Sequence, residues 1–299
     1  MAGKNIVVTG AGGLVGRHLV DYASDEDEVW AVTRSAGSAT RGCGVQEVQI
    51  DLESEWDKRS AGLPDRCDSV VYLAQSKAYR FLPERADSLF QVNLVGLARF
   101  LEYAKVAGAR SFVYASTGSV YRNSGRTISE DSELMDDGAG RNLYPWSKLT
   151  GEALVRSYSE HFSTAILRCF FVYGSGGDPG MLIPRLVERI CAGESVGLHG
   201  EEGLVFPPLY AGDAARAFRS AVDLEGVNLI NIAGPDSVSL RDFSMKAGEV
   251  LGREPIFHRM DGVPTDFRVD ITKMEERLRV YPIPVQCGLR EWFPEGSSN

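Results

Sequence analysis

Residues 7–20, VVTGAGGLVGRHLV, connect a short β-branched run to a segment of helical periodicity through a glycine-rich turn. We expect the strand to end near Thr9 and the helix to begin near Gly13. A tight turn of this kind needs residues without a Cβ atom, because only then can backbone N–H groups at the helix N-terminus approach a pyrophosphate closely. The stretch therefore predicts a dinucleotide-binding turn formed by Gly10, Gly13, Leu14, Val15 and Gly16.

The alternation of strand and helix continues over the first two thirds of the chain. The β-branched runs are NIVVTG, EVWAVTR, VQEVQIDL, SVVYLAQ, SFVYAST and TAILRCF, and helical segments separate them. This pattern predicts a parallel sheet covered on both faces. After Gly174 the alternation stops. We predict an α/β fold, with a Rossmann-type doubly wound parallel sheet and a smaller interleaved C-terminal α/β substrate domain. The dinucleotide-binding domain should span residues 1–174, with 206–233 returning to it, and the substrate-binding part residues 175–205 and 234–299.

Composition and charge exclude several classes of function. The 299 residues include 41 acidic and 32 basic side chains, a net charge of −9, and the basic ones are scattered, so we expect no nucleic-acid partner. The chain has no apolar run of 18 residues and no apolar N-terminal targeting segment, which predicts a cytoplasmic protein without a membrane partner. The five cysteines form no C-x-x-C pair and the histidines share no ligand spacing, so neither a disulfide framework nor a metal site is predicted.

The residues that follow the second predicted strand bear on the choice between NADP and NAD. An NAD site commonly places a carboxylate there for the ribose 2′-hydroxyl, whereas this chain has Thr33 followed by Arg34. A guanidinium can bind a 2′-phosphate through two hydrogen bonds, which favours NADP, with NAD as the alternative. A solvated loop position is the other interpretation of Arg34. Arg17 offers a second phosphate contact, and Asp51, followed by Leu52, can accept from the adenine amino group or cap the next segment.

The stretch NLYPWSKLTGE, residues 142–152, places Tyr144 and Lys148 one helical turn apart on the same face. A phenol has a pKa of about 10 and exchanges protons poorly at neutral pH, but a nearby ammonium favours the phenolate and lowers that pKa. Upstream, VYASTGSVY ends a strand with Ser116 and Thr117, whose hydroxyls can hold a substrate oxygen while Tyr144 gives or takes its proton. These residues predict a site for proton transfer to or from a carbonyl or hydroxyl oxygen.

Taken together, the motifs resemble the extended short-chain dehydrogenase/reductases, the family of NAD(P)-dependent epimerases, dehydratases and ketoreductases that includes UDP-galactose 4-epimerase. The resemblance covers almost the whole chain. It is carried by T-G-x-x-G-x-x-G from Thr9, VVYLAQSK, VNLVGLARFLEYAKVAGARSFVYASTGSVY, the Tyr144/Lys148 pair, ILRCFFVYG and IPRLVERICAGESVGLHG.

This resemblance implies roles for individual residues. The catalytic hydroxyl is Thr117, with Ser116 beside it at the cofactor, and the proton passes through Tyr144. Lys148 lowers the pKa of that tyrosine and holds the nicotinamide ribose. The loop that passes the ribose, the helix asparagine near the cofactor and a lysine near cofactor or substrate phosphates correspond to Leu73, Ala74, Gln75, Asn93 and Lys77. The long helices at 90–108 and 144–161 resemble the pair that forms a homodimer in this family.

Departures from the family pattern bear on the substrate. Dehydratases of the family carry an Asp-Glu pair after the catalytic threonine, where this chain has Gly118 and Ser119, so a dehydratase is disfavoured. An asparagine that faces the substrate diphosphate in the sugar-nucleotide enzymes is Phe171 here. The arginine and histidine positions of the later diphosphate motif are Phe206 and Tyr210, and loss of the arginine weakens the diphosphate clamp. Basic residues that could replace it are Arg185, Arg189 and Arg268.

The sequence therefore predicts an NAD(P)-dependent oxidoreductase with a small-molecule substrate. We expect net reduction of a ketone in a nucleotide-linked deoxysugar or a related secondary metabolite. A sugar-nucleotide epimerase that works through a transient ketone is the alternative. A cofactor-sensing protein without turnover is the alternative of another class, although such proteins often lose the tyrosine or the lysine and this chain keeps both.

Overall fold

A computed structural model describes residues 3–38, 44–56, 62–136 and 142–294. The β-strands in these residues are β1 (Asn5–Thr9), β2 (Glu28–Thr33), β3 (Val45–Gln49), β4 (Ser69–Tyr72), β5 (Ser111–Thr117), β6 (Ser163–Cys169), β7 (Val172–Tyr173), β8 (Val196–His199), β9 (Val205–Phe206), β10 (Leu209–Tyr210), β11 (Val227–Ile232), β12 (Val238–Ser239) and β13 (Phe257–Met260). The α-helices are α1 (Leu14–Ala23), α2 (Ala86–Phe90), α3 (Leu97–Val106), α4 (Leu143–Arg156), α5 (Leu182–Cys191), α6 (Ala211–Ala221), α7 (Leu240–Leu251), α8 (Thr272–Leu278) and α9 (Val285–Trp292). Short 3₁₀ helices at Lys77–Phe81 and Gly118–Val120 and a π-helix at Gln91–Gly96 lie between them.

The centre of the molecule is a seven-stranded parallel sheet in the order β3-β2-β1-β4-β5-β6-β11. Successive apolar residues of β1 point to opposite faces, because Ile6 and Val8 pack in one core cluster and Val7 in another. Helices α1, α6 and α8 contribute to the first cluster, and α3 and α4 to the second. Helices therefore cover both faces of the sheet, which confirms the predicted Rossmann-type doubly wound fold.

The sheet has a switch point between β1 and β4. Strands β2 and β3 continue the sheet on one side of this point, and β5 and β6 continue it on the other. In open α/β sheets, the carboxyl ends of the strands at such a point form the crevice that binds ligands. Thr9 ends β1 there, and its hydroxyl accepts a hydrogen bond from the backbone N–H of Ala74 (3.2 Å), just after β4. The fold thus brings the glycine turn and the segment after β4 together at one crevice.

The chain after β6 builds small sheets beside the central one. Strands β7 and β10 are parallel, β8 and β13 are parallel, and β9 and β12 are antiparallel. Helices α5, α7 and α9 pack on these strands around a core that includes Phe206 and Phe243. Between these elements, α6 packs with α1 and β11 pairs with β6. The chain therefore leaves the central sheet and later returns to its edge.

Two further features of the described residues concern membranes and metals. These residues contain no helix with the length and apolar character needed to span a bilayer. In the same ranges, no three His, Cys, Asp or Glu side chains are grouped so that they could hold a metal ion. No disulfide joins the cysteines that the structure describes, and Cys43 lies outside these residues.

Candidate active site

The glycine turn between β1 and α1 is shaped by the absence of side chains. Gly10 has a left-handed backbone (φ +67°), and its carbonyl accepts a hydrogen bond from the N–H of Gly13 at 2.9 Å. A Cβ atom on Gly16 would lie 2.2 Å from the Gly10 oxygen, so the close contact of helix and turn requires glycine there. Helix α1 begins at Leu14 with no acidic residue in its first turn, and the N–H groups of Leu14 and Val15 have no acceptor within the helix. The turn therefore fits the pyrophosphate of a dinucleotide.

A cleft of about 500 Å³ opens beside this turn. Many of the predicted cofactor and substrate residues line it, namely Gly10, Gly13, Leu14, Thr33, Arg34, Asp51, Leu52, Leu73, Ala74, Gln75 and Lys77. The lining also contains residues that the sequence did not single out, namely Gly12, Ser35, Ser38, Glu53, Tyr79, Arg80 and Asp178. Ser35 and Ser38 follow Arg34 closely, so their place beside the cleft could have been predicted from the sequence. Tyr79 and Arg80 lie on the 3₁₀ helix Lys77–Phe81 and Asp178 lies in the loop after β7, and only the tertiary fold brings these segments to the cleft.

The end of β2 forms one end of the cleft. The Thr33 hydroxyl donates to a carboxylate oxygen of Glu47 (3.0 Å), and the same carboxylate accepts from the N–H groups of Gly37 (2.8 Å) and Ser38 (3.0 Å). Arg34 is exposed, and in the described chain no carboxylate pairs with its guanidinium. Thr33 and Glu47 thus order the loop, while Arg34 is available to an anion at this end of the cleft.

Asp51 and Leu52 follow β3 and border the same end of the cleft. Asp51 is exposed, and its Oδ1 accepts from the N–H of Glu53 at 3.0 Å. This bond corresponds to the capping alternative. That bond uses Oδ1 and not Oδ2, and the contact of Asp51 with an adenine amino group stays a prediction.

Arg17 lies between the glycine turn and the loop that follows β7. Its Nη2 donates to the Gly12 oxygen (2.9 Å), and a Cβ atom on Gly176 would come within 2.7 Å of its Nη1. Its Nε is buried and has no hydrogen-bond partner among the described residues. An unpaired guanidinium nitrogen beside an anion-binding turn supports the predicted second phosphate contact.

Tyr144 lies in the first turn of α4 and faces the segment after β4. Its hydroxyl donates to Gln75 Oε1 (3.0 Å) and shares a hydrogen bond with the Thr117 hydroxyl, and its ring centre lies 5.0 Å from that of Tyr79. Burial raises the pKa of the phenol above its ordinary value, because desolvation of the phenolate outweighs the hydrogen bonds with Thr117 and Gln75. This direction is opposite to the lowering that we expected from Lys148. The Tyr144 side chain is therefore a neutral phenol at pH 7.

Lys148 lies one turn further along α4 and is buried against the end of β5. Its Nζ donates to the Ala115 oxygen at 2.9 Å and lies 5.2 Å from the centre of the Tyr114 ring. Burial lowers the pKa of the ammonium to about 8, and the nearby Glu152 carboxylate partly offsets this lowering. Lys148 therefore remains protonated at pH 7 on the same helical face as Tyr144.

The turn after β5 holds the remaining predicted catalytic hydroxyl. Thr117 ends the strand, and its Oγ1 accepts from the N–H of Ser119 at 3.2 Å. Ser119 is exposed, whereas Gly118 is buried, and a Cβ atom on Gly118 would lie 2.2 Å from the Phe170 ring. A larger residue at position 118 would therefore require the Phe170 ring to move.

Two predicted cofactor residues use their side chains elsewhere. Asn93 Oδ1 accepts from the N–H of Ser76 (3.1 Å), and its Nδ2 donates to Ser147 Oγ (3.0 Å). The Ser116 hydroxyl donates to Glu152 Oε1 at 2.6 Å. All of these atoms are buried and connect the segment after β4, the π-helix and β5 to α4. A cofactor contact of Asn93 or Ser116 stays a prediction.

The aromatic residues at the altered clamp positions pack against one another. Phe171 has a positive φ of +40°, rare for a bulky residue, and its ring centre lies 5.1 Å from that of Phe206 and 5.6 Å from that of Phe267. Phe206, which the sequence also suggested as a substrate contact, is 0% exposed and packs in a core cluster, and a substrate contact there stays a prediction. Tyr210 is half-buried, with its ring centre 5.9 Å from that of Tyr173.

The basic residues proposed to replace the clamp differ in their surroundings. Arg189 donates to the Ser195 oxygen (3.1 and 2.7 Å), and Arg268 pairs with Asp266 (3.1 Å). Arg185 is exposed at the start of α5, and no acid among the described residues pairs with it. Of the three, Arg185 is the side chain left available to an anionic substrate group.

Three charged residues that line the cleft, Asp178, Arg80 and Lys77, form a cluster of ion pairs. Asp178, in the loop after β7, contacts Arg80 Nη1 (2.8 Å) and Lys77 Nζ (3.1 Å) on the 3₁₀ helix. The N–H of Gly180 also donates to Asp178 (2.9 Å). These hydrogen bonds, chiefly the one from Arg80, lower the pKa of the Asp178 carboxyl to about 2. Lys77, which the sequence predicts near a phosphate, is thus part of an ion-pair bridge between the 3₁₀ helix and the loop after β7.

Comparisons with known proteins agree with this geometry. A family model described as the NAD dependent epimerase/dehydratase family matches residues 6–233. The dTDP-4-dehydro-6-deoxy-D-allose reductase of Streptomyces bikiniensis is 28% identical over 321 aligned positions, covering 98% of this chain and 97% of that protein. Among solved structures, the UDP-N-acetylglucosamine 4-epimerase of Methanobrevibacter ruminantium M1 has a TM-score of 0.85 at 21% identity, with 98% of each chain covered. The UDP-glucuronic acid 4-epimerase of Bacillus cereus, in complex with UDP-glucuronic acid and NAD, has a TM-score of 0.82 at 24% identity, covering 97% of this chain and 98% of that one.

The two solved structures have the same fold as this protein. The family match extends from β1 through β11 and includes the glycine turn, Thr117, Tyr144 and Lys148. The chain belongs to the NAD-dependent epimerase/dehydratase family and is an NAD(P)-dependent enzyme.

Proposed function

We propose that the protein is an NAD(P)-dependent reductase that converts a ketone of a nucleotide-linked deoxysugar, or of a related secondary metabolite, into an alcohol. The observation that carries this proposal is the neutral phenol of Tyr144, which is hydrogen-bonded to Thr117 beside the cleft of the glycine turn. The full-length similarity to a protein named as a dTDP-4-dehydro-6-deoxy-D-allose reductase supports the same substrate class.

The side chains suit proton delivery to a carbonyl oxygen. When bound, a nicotinamide cofactor supplies the hydride. Tyr144, like an ordinary phenol, carries its proton at neutral pH, which is the state that a ketone reduction needs. The Thr117 hydroxyl can hold the same oxygen. The Lys148 ammonium on the same helical face stabilises the tyrosinate that remains after the proton has left.

Binding of the cofactor is proposed along the cleft. The N-terminus of α1 and Arg17 would hold the pyrophosphate, the segment Leu73–Gln75 and Lys148 the nicotinamide ribose, and Asp51 the adenine. NADP is the proposed form, because Arg34 lies in the lining with Ser35 and Ser38 and no carboxylate in the described chain pairs with it.

A sugar-nucleotide epimerase is the second candidate. The same phenol, hydroxyl and ammonium can act in both directions, so an alcohol could be oxidised and the ketone reduced again on its other face without net consumption of cofactor. A dehydratase is disfavoured because residue 118 is a glycine, where a Cβ atom would lie 2.2 Å from the Phe170 ring. A sensor without turnover is disfavoured because Tyr144 and Lys148 are both present, one turn apart on α4.

We also propose a domain division, a cellular compartment and an oligomeric state. The dinucleotide-binding domain is residues 1–174 with 206–233, since α6 and β11 pack with the central sheet, and the substrate-binding part is 175–205 with 234–299. The protein acts in the cytoplasm as a homodimer. The thiols Cys67, Cys169, Cys191 and Cys287, without disulfides among them, are consistent with a reducing compartment.

The test measures oxidation of NADPH or NADH by the purified protein with dTDP-, UDP- and GDP-linked 4-keto-6-deoxy sugars, followed by product analysis. We expect NADPH consumption with at least one of these ketones. Tyr144→Phe should bind the cofactor normally and lose about 100-fold or more in kcat, because the proton donor is removed. The same assay with the 4-hydroxy nucleotide sugars and oxidised cofactor tests the alternative, and formation of the 4-epimer without net change in the cofactor would replace the reductase with the epimerase. The absence of both reactions with every nucleotide sugar would move the search to ketones without a nucleotide.

A further inference from the structure

A buried charge pair lies directly behind the catalytic side chains, and the proposed reaction does not use it. Glu152 lies one turn beyond Lys148 on α4, and Arg168 lies on β6. Their side chains are 1% and 3% exposed. The Nε and Nη2 atoms of Arg168 donate to the two carboxylate oxygens of Glu152 at 2.8 and 2.7 Å. This two-point geometry fixes the position of both side chains inside the protein.

The Glu152 carboxylate also reaches the strand end that carries the catalytic threonine. The Ser116 hydroxyl donates to Glu152 Oε1 at 2.6 Å. Ser116 stands between Ala115, whose oxygen accepts from the Lys148 ammonium at 2.9 Å, and Thr117. One carboxylate therefore anchors the backbone between the group that holds Lys148 and the hydroxyl that would hold the substrate.

The pair is a costly way to hold these elements together. Ion pairs removed from water lose much of their attraction to desolvation, and apolar residues of similar size often give equal stability. The Arg168 Nη1 is buried without a hydrogen-bond partner among the described residues, and the guanidinium lies 4.6 Å from the centre of the Tyr121 ring. An incompletely satisfied charge pair at this place indicates a role beyond packing.

We propose that Glu152 is a positioning residue for Thr117 and Lys148, which fixes the end of β5 and presents a negative charge to the lysine ammonium. The inference rests on the proposed function, because that function gives Thr117 and Lys148 their roles.

The groups around Lys148 make Glu152 the source of this negative charge. Glu152 approaches the ammonium from its own helix, Tyr114 from β5 and Cys169 from β6, and Tyr144 lies one turn earlier on that helix. Burial raises the pKa of both phenols and raises that of the Cys169 thiol to about 12, so these three groups are neutral at pH 7. Among the groups that the structure describes here, Glu152 is the ionised acid that favours the charged lysine.

The first test follows the titration of Lys148 itself. Protein labelled with carbon-13 in its lysine side chains is titrated by NMR, and the Lys148 signal is assigned by its absence in Lys148→Met. We expect Glu152→Gln to lower the titration midpoint by about one pH unit or more, since the variant keeps the shape and removes the charge. Arg156→Gln is the matched control, because Arg156 lies 3.7 Å from the same carboxylate but is exposed. Its midpoint should equal that of the unaltered protein.

A second variant keeps the test decisive if the first does not fold. Glu152→Gln leaves Arg168 buried without its counter-charge, whereas Glu152→Gln with Arg168→Gln removes both charges. We expect the double variant to fold, as judged by its thermal melting, and to show the same lowered midpoint. A midpoint equal to that of the unaltered protein, in either folded variant, would overturn the proposal.

Activity supplies the readout for the position of the catalytic groups. We expect kcat of the folded variants to fall about ten-fold or more, and the loss of activity at alkaline pH to begin at a lower pH. A decrease that only follows the amount of folded protein, with an unchanged pH profile, would reveal a structural role and overturn the proposal. The NMR titration needs no substrate, so its failure is distinguishable from failure of the proposed reduction.

Discussion

Arg34 is the residue that most directly separates NADP from NAD in this cleft. Its guanidinium is exposed after β2, and no acid in the described chain competes for it. We expect Arg34→Ala to weaken NADPH binding by about ten- to one-hundred-fold, since a hydrogen bond to a charged group contributes about 1.5–3 kcal/mol. NADH binding should change by less than about two-fold, because NADH lacks the 2′-phosphate. Calorimetric titration with both nucleotides measures the difference. An equal loss for both would mean that Arg34 supports the loop and binds no phosphate.

Lys148 sets the expected pH dependence of the reaction. Burial places the pKa of its ammonium at about 8, below the ordinary value of 10.5, so the charge is complete at lower pH and is lost as the pH rises through 8. Tyr144 keeps its proton over this range, because its pKa is raised. We expect kcat for ketone reduction to be level near pH 6–7, roughly, and to fall above pH 8. A pH–rate profile tests this, and a decline that begins only near the pKa of an ordinary lysine would contradict it.

Local sequence predicts some of these residues and not others. The glycine turn and the Tyr144/Lys148 spacing depend on a few neighbouring residues, so they can be read from the sequence. The raised pKa of Tyr144 depends on burial beside Gln75 and Tyr79, and the burial of Phe206 depends on Phe243 and Phe171. These neighbours come from distant segments. Their effect becomes visible only once the chain has folded.

At the scale of elements, the 3₁₀ helix Lys77–Phe81 and the loop after β7 both line the cleft and contact each other. Neither segment has a periodic pattern that predicts its position. Their contact depends on Asp178, which pairs with Arg80 and Lys77. The bridge therefore connects a segment next to the glycine-turn crevice with the part of the chain that continues into α5.

We expect this bridge to slow the release of cofactor. Asp178→Asn removes both ion pairs, and exposed or half-exposed pairs contribute about 0.2–1 kcal/mol each, so dissociation of NADPH should become about two- to ten-fold faster. The pKa of Asp178 is lowered to about 2 from 3.8, so the pair is complete above pH 4, roughly, and is lost as the pH falls toward 2. Stopped-flow displacement of NADPH measures the rate.

Asp242→Asn is the matched control for this experiment. Asp242 pairs with Lys246 on α7 at 2.6 Å, and neither residue lines the cleft. The control should release NADPH at the rate of the unaltered protein. If Asp178→Asn also released it at that rate, the bridge would be irrelevant to cofactor exchange.

At the scale of the whole molecule, the central sheet is predictable and the C-terminal part is less so. Strands such as β1 and β5 are continuous apolar runs between helices, and this pattern alone predicts a parallel sheet with two covered faces. Strands β7, β9, β10 and β12 have two residues each, too few to show any periodicity. Their pairing is set by the core around Phe206, which joins segments far apart in the sequence.

The proposal of a homodimer depends on apolar side chains at the molecular surface. Helices α2, α3 and α4 and the π-helix expose several large apolar side chains, namely Phe90, Val95, Val106 and Trp146. Apolar residues exposed together on one set of helices are typical of an interface, and identical chains most often pair through one two-fold axis. A second copy of this chain is therefore the partner that we expect there.

Phe90→Glu should weaken that dimer, because the 41% exposed ring would be replaced by a charge that must be desolvated on association. The unaltered protein should sediment as a dimer at micromolar concentration, and the variant should sediment as a monomer that melts at a temperature independent of protein concentration. Val263→Glu is the control, because Val263 is 87% exposed and lies outside these helices. It should remain a dimer. If the unaltered protein sedimented as a monomer, the proposal of a homodimer would be wrong. If Val263→Glu and not Phe90→Glu disrupted the dimer, the interface would lie in the C-terminal part.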